Sequence, residues 1–195
     1  KAFEKNTESR FPAMSNFSFD YGNVHITCLD SNPYANPLDQ DLLLWLINDL
    51  KTSKADWKIV AYHHPAFNTS ISHYDDQQMR LIAPILEEQK VDLVLAGHVH
   101  NYQRSFPLKF ELKLDSSGTR YVVSPEGRVD GTFTLDQKFD GVTNTRPEGI
   151  IYIVSGSGGA RLYDAPLTNN PELWKHDKPG NWVPFTVKLV ADIHS

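Results

Sequence analysis

The sequence predicts an α/β fold, a mixed β-sheet core flanked by helices, and three observations carry that prediction. Two apolar runs, Trp57-Lys58-Ile59-Val60-Ala61-Tyr62 and Val91-Asp92-Leu93-Val94-Leu95-Ala96, read as buried strands. The segment between them puts Met79, Ile82 and Leu86 on one helical face, and strand, helix, strand is the unit that sets two parallel strands side by side. Both runs end in histidine, as His63-His64-Pro65 and as Gly97-His98-Val99-His100. Ligand sites in α/β sheets lie beyond the carboxyl ends of the strands, so three imidazoles are expected to meet there.

The remaining elements follow in order. Phe17 to Asp30 predicts a hairpin turning at Gly22-Asn23, with Val24, Ile26 and Cys28 alternating inward. His25 takes the alternate position and reads as structural or exposed. A helix comes next: Asn36 suits the N-cap, Pro37 the first helical position, and Asp39 the positive end of the dipole. Leu43, Leu46, Ile47 and Leu50 repeat at helical spacing, which lays this helix over one face of the sheet. The segment from Asp75 to Lys90 is interrupted by Pro84. Proline inside a helix removes a hydrogen bond and clashes with the preceding turn, so a kink or a restart is expected. Residues 105–149 hold Ser116-Ser117-Gly118, Gly127, Gly131, Gly141 and the β-like Arg120-Tyr121-Val122-Val123. They read as a polar excursion between two sheet strands and, because loops of such length are often functional, as a rim over the site. Gly149 to Val154 returns to the core, 163–183 is loop-like, and 187–195 reads as a strand.

Composition bounds the partners. With 195 residues, 40% hydrophobic and 22% charged, the chain has enough material for one globular core. No apolar run approaches the ~20 residues that span a bilayer. A net charge of −5 argues against a nucleic-acid partner, since phosphate backbones demand a basic surface. The single cysteine, Cys28, excludes an internal disulfide and reads as an inward small hydrophobe. Two sequons, Asn16-Phe17-Ser18 and Asn68-Thr69-Ser70, are of a kind that arises often by chance.

Imidazoles suit zinc, iron, copper or nickel, and the pairing of His98 with His100 at a strand end points to ligation rather than to packing. Here the residues carry a likeness. Val60-Ala61-Tyr62-His63-His64-Pro65 and Gly97-His98-Val99-His100-Asn101-Tyr102-Gln103-Arg104 resemble the last two motifs of the calcineurin-like dinuclear metallophosphoesterases. The nearest branch is that of the purple acid phosphatases, where a V-x-x-H strand end precedes G-H-x-H-x-Y-E-R. Phe17 to His25 resembles that branch's S-F-D-Y-G-N-V-H hairpin, and Ile151 to Gly159 its late strand and Gly-rich turn. The likeness covers most of residues 10–160, with Gln103 in place of the usual Glu and no metal ligand lost.

The resemblance implies a C-terminal part of a four-layer β-sandwich metallophosphoesterase domain, spanning 1–195 with 105–149 as an insertion. It implies hydrolysis of phosphate esters, phosphomonoesters first, by two metal ions of Fe, Zn or Mn type. His63 and His98 would ligate one metal and His100 the other; His73 would contact the phosphate and protonate the leaving group. The earlier motifs G-D-x-x-Y and G-N-H-D/E do not occur in the chain, and the one D-x-H, Asp192-Ile193-His194, follows the histidine motifs rather than preceding them. Arg10-Phe11-Pro12-Ala13-Met14 resembles the stretch after G-N-H, so the remaining ligands are expected upstream of Lys1. The partner implied is a small phosphorylated substrate, and the location a secreted or periplasmic one. His64 reads as a packed neighbour of the ligands. Two alternatives stand beside the hydrolase: a non-catalytic binding domain on the same sheet, and a structural zinc site, which fits poorly without Cys thiolates.

Overall fold

The computed structural model describes residues 15–70 and 72–163 and the backbone of 186–188. The expectations for Arg10–Met14, for all but the first residue of 163–183 and for 189–195 lie outside the described residues. Nine strands and two α-helices are described. A seven-stranded sheet runs in the order β1-β2-β3-β4-β8-β5-β9. Its members are β1 (Phe17–Tyr21), β2 (Val24–Cys28), β3 (Trp57–Ala61), β4 (Leu93–Ala96), β8 (Ile151–Ser155), β5 (Tyr102–Arg104) and β9 (Thr186–Lys188). From β2 to β8 the neighbours are parallel; β1, β5 and β9 pair antiparallel at the two sides. The sheet is therefore mixed with a parallel centre, and the two histidine-ending strands are adjacent, Ile59 opposite Leu93 and Ala61 opposite Leu95.

Helix α1 (Gln40–Thr52) starts later than the sequence suggests. Asp39 is the N-cap, its carboxylate accepting from the Asp41 and Leu42 amides, because a carboxylate there serves both the free amides and the dipole. Asn36 instead closes a preceding turn by accepting from Leu38 N. Helix α2 (Ala83–Glu88) restarts at Pro84 after a 3₁₀ turn, Gln78–Ile82. Proline lacks the N–H that a first turn leaves unpaired in any case. Both helices cover the same face of the sheet: Leu42, Leu46, Leu50, Met79, Ile82 and Leu86 pack with Val60, Val94 and Tyr152 in one core.

Residues 105–149 are only partly the polar excursion expected. They contain a hairpin, β6 (Leu108–Leu112) with β7 (Gly131–Leu135), that contributes Leu108, Phe110 and Val129 to the same core. Arg80, itself buried, donates to the carbonyls of Ala66 and Val129 and lies over the rings of Phe67, Phe110 and Phe133. Aromatic faces attract a desolvated guanidinium, and this stack ties the hairpin to the segment after β3.

The hairpin β1–β2 corrects the sequence reading. His25 and Thr27 are the buried positions, while Val24, Ile26 and Cys28 lie on the opposite, half-exposed face. The reason is a carboxylate on α1. Asp49, itself buried, accepts from His25 Nε2 at 2.9 Å, Ser18 Oγ at 2.8 Å and Thr27 Oγ1 at 3.1 Å. Polar side chains are thus drawn beneath the helix. The apolar ones line up across the other face, where register sets Phe17, Phe19, Val24, Ile26 and Cys28 beside Ile59, Ala61, Leu93, Leu95 and Ile153. Phe17, Phe19, Trp57 and Leu95 are exposed there.

Candidate metal and phosphate site

The chain leaves β3 into His63 and β4 into Gly97-His98, so adjacency of the strands brings these imidazoles together: His98 Nδ1 lies 3.1 Å from His63 Nε2. Gly97 is not itself the turning residue. A Cβ there would meet His63 Nδ1 at 3.4 Å, and the left-handed turn falls on the next residue, His98, at φ +62°. His73 is held at φ +60° as well. Such conformations cost about 1–3 kcal/mol each outside glycine and persist where surrounding contacts fix them, as they do at functional sites.

Two groups of side chains in the described residues are spaced to hold a metal ion, and they share His98. One ring nitrogen each of His63, His64 and His98 lies within 4.8 Å of the others; so do ligand atoms of His73, Asp76 and His98. His98 faces His63 through Nδ1 and Asp76 through Nε2, the latter at 3.2 Å. Asp76 Oδ2 also reaches His73 Nδ1 at 3.2 Å. Burial, and then the charge on neighbouring imidazoles, hold His64 and His98 below the ordinary histidine value; for His64 the neighbour is His63, for His98 it is His73. Metals bind imidazole only when it is neutral, so for His98 this environment favours ligation.

His100 belongs to neither group. Its Nδ1 meets the Arg161 carbonyl at 2.8 Å and its ring stacks on Tyr163, 4.2 Å between centroids. Tyr163 in turn places its hydroxyl 3.2 Å from His73 Nε2. The two ends of the site are therefore bridged by Tyr163. Gln103 is wholly buried and structural: Oε1 accepts from the Thr69 amide at 2.9 Å and Nε2 donates to Asn101 Oδ1 at 2.8 Å, joining the segment after β3 to the β4–β5 loop. His25 belongs to the Asp49 network, away from these groups. Asn16 and Asn68 of the two sequons are buried and hydrogen bonded.

Sequence reasoning missed Asp76, Tyr163 and Ser31. Asp76 had a signal, since it stands three residues after His73; the others meet the site only through tertiary structure. The excursion contacts the segment that carries Asp76, with Arg128 Nε donating to Asp75 at 2.5 Å and its guanidinium over Tyr74.

Known proteins are similar to this chain in sequence and in fold. The chain is 36% identical over 117 residues to purple acid phosphatase 21 of Arabidopsis thaliana, covering 57% of this chain and 26% of that protein. It is 34% identical over 113 residues to a phosphoenolpyruvate phosphatase of Allium cepa, covering 55% and 23% respectively. It thus spans about a quarter of the length of these relatives. The fold matches that of purple acid phosphatase PPD1 from yellow lupin seeds, with a TM-score of 0.53 at 19% identity over 83% of this chain and 26% of that one. The family model of calcineurin-like phosphoesterases matches residues 2–102, just over half of the sequence. The chain belongs to the calcineurin-like phosphoesterase family.

Proposed function

We propose that the protein carrying this chain hydrolyses small phosphate monoesters at a dinuclear metal centre, to which this chain contributes the histidine half. The observation that supports it most is the meeting of His63 and His98 at 3.1 Å where two adjacent parallel strands end. Imidazole suits iron and zinc, and ions of Fe, Zn or Mn type are what the family likeness implies. His63 and His98 would hold one ion and His100 the second. Ions held there supply Lewis acidity, lowering the pKa of water and offsetting negative charge at phosphorus.

The chain's own residues then do the following. His73, between Asp76 on Nδ1 and the Tyr163 hydroxyl on Nε2, binds a phosphate oxygen and returns a proton to the departing alkoxide. Asp76 orients that ring by accepting from it. Carboxylate ligands are to come from a part of the domain upstream of Lys1. The apolar face of the sheet, with Phe17, Phe19, Trp57 and Leu95 exposed, is where that part packs, because parallel strands are normally covered on both faces. Residues 1–195 are then the C-terminal part of the domain, and alone bind at most one metal weakly without turnover. No helix among the described residues is long and apolar enough to cross a membrane; a secreted or periplasmic location is the expectation from family likeness.

The test is metal analysis of the full-length protein by mass spectrometry, paired with a phosphomonoester assay. His98→Ala and His100→Ala should lose metal and activity together. His73→Ala should keep both metals and lose more rate on alkyl than on activated aryl phosphates, since general-acid help is worth ~10²–10⁴ when the leaving oxygen is basic. A full-length protein that holds metal but turns over no phosphoester would favour the non-catalytic binding domain.

A further inference from the structure

His64 has no part in that scheme, yet it is buried and its ring lies 4.4 Å from that of His98 and 4.9 Å from that of His63, centroid to centroid. Its role is decided by Ser31. The Ser31 hydroxyl, also buried, accepts from the backbone amide of His63 at 3.0 Å and from that of His64 at 2.9 Å, and lies 3.0 Å from His64 Nδ1. A serine oxygen has two lone pairs and one proton. Both lone pairs are taken by the two amides, so the hydroxyl proton is the group left for the imidazole. Nδ1 must then accept it. A ring whose Nδ1 accepts carries its hydrogen on Nε2.

We propose that His64, locked by Ser31 as the Nε2–H tautomer, is an anion-binding residue that donates a hydrogen bond to a phosphate oxygen at the His63–His98 end of the site. It is a donor and not a third metal ligand, because a nitrogen that bears hydrogen has no lone pair in the ring plane to give. The ligand class is a phosphate monoester or its product, inorganic phosphate. Ser31 acts through His64 and is a positioning residue. The inference rests on the phosphoesterase reading of the same site, and goes beyond it by assigning a binding role to the second histidine of His63-His64-Pro65.

The experiment uses the metal-loaded full-length protein and inorganic phosphate as probe, with metal content measured in parallel. His64→Ala should leave metal content unchanged and weaken phosphate binding by about 3- to 10-fold, the size of one neutral hydrogen bond. His64→Gln, which keeps an N–H donor, should recover part of that loss, and Ser31→Ala should show an intermediate loss. On the unsubstituted protein, nitrogen-15 NMR of the histidine rings should show His64 with a bare Nδ1 and a protonated Nε2. Metal loss in His64→Ala equal to that in His63→Ala would make it a ligand and overturn the proposal. So would unchanged phosphate affinity, or hydrogen found on Nδ1. Failure of the unsubstituted protein to turn over phosphomonoesters would refute the hydrolase reading instead, since phosphate titration and tautomer are read without turnover.

Discussion

Gly156, the residue after β8, fixes the loop that carries both His98 and His100, and Gly156→Ala measures how much. Its amide donates to Asn101 O at 3.1 Å. An added Cβ would overlap the Val99 carbonyl oxygen, stand 2.8 Å from the Val99 carbonyl carbon and 3.4 Å from His100 Cα. These are backbone atoms, so no side chain can swing aside. The loop must retreat until 2.8 Å becomes at least the ordinary 3.4 Å. Overpacking of that kind costs about 1–3 kcal/mol, and a domain of this size loses about 2–4 °C of melting temperature per kcal/mol. The effect on the site is larger in proportion. Metal–nitrogen distances tolerate about 0.2 Å, so a loop displaced by more than that should weaken metal binding by about 10- to 100-fold, as loss of a supporting contact around ligands does. Calorimetric titration of zinc or manganese into the apoprotein, with thermal unfolding alongside, reads both effects. Gly158→Ala is the control, because a Cβ there meets nothing within 4 Å. Wild-type stability and metal affinity in Gly156→Ala, or an equal loss in Gly158→Ala, would refute the reasoning.

Three further outcomes are expected. Asp49→Ala leaves the buried His25 ring only its Asp20 partner, removes the bonds from Ser18 and Thr27, and should cost about 1–3 kcal/mol or more in denaturant unfolding; Asp49→Asn should cost less. Tyr152→Phe should be neutral or raise stability by up to about 1–3 kcal/mol, since the Tyr152 hydroxyl is buried without a partner among the described residues and its removal relieves that desolvation. Burial raises the Glu87 pKa above the ordinary glutamate value, against the Phe110 amide and Lys109, which lower it. In the window between the two values the native state binds more protons than the unfolded one, so this group's contribution to stability falls as pH rises through the window. Glu87→Gln should flatten that part of a stability–pH curve, and an unchanged slope would remove Glu87 as its source.

Much of the architecture was legible in residue order because it depends on local pattern. Buried apolar runs at 57–62 and 91–96 separated by a helical segment leave few options: a short parallel crossover sets the two strands side by side, and β3 and β4 are neighbours. Pro84 announced a helix restart for the same local reason, its missing N–H. Likewise His63 and His98 could be placed together from strand ends alone.

Tertiary structure decided what pattern leaves open. Alternation in Val24-His25-Ile26-Thr27-Cys28 states which residues share a face but not which face meets a helix. That choice was made by Asp49, 24 residues from His25, once α1 laid its carboxylate over the hairpin. Asp76 joins His98 across 22 residues, and Tyr163 joins His73 across 90; hydrogen bonds at such separations exist only after the sheet has formed. Spacing within Gly97-His98-Val99-His100 likewise could not show that His98 would turn toward His63 while His100 turned to Arg161. The backbone at His98 is left-handed, and beside it Gly156 packs against Val99, a contact between segments that are distant in the chain.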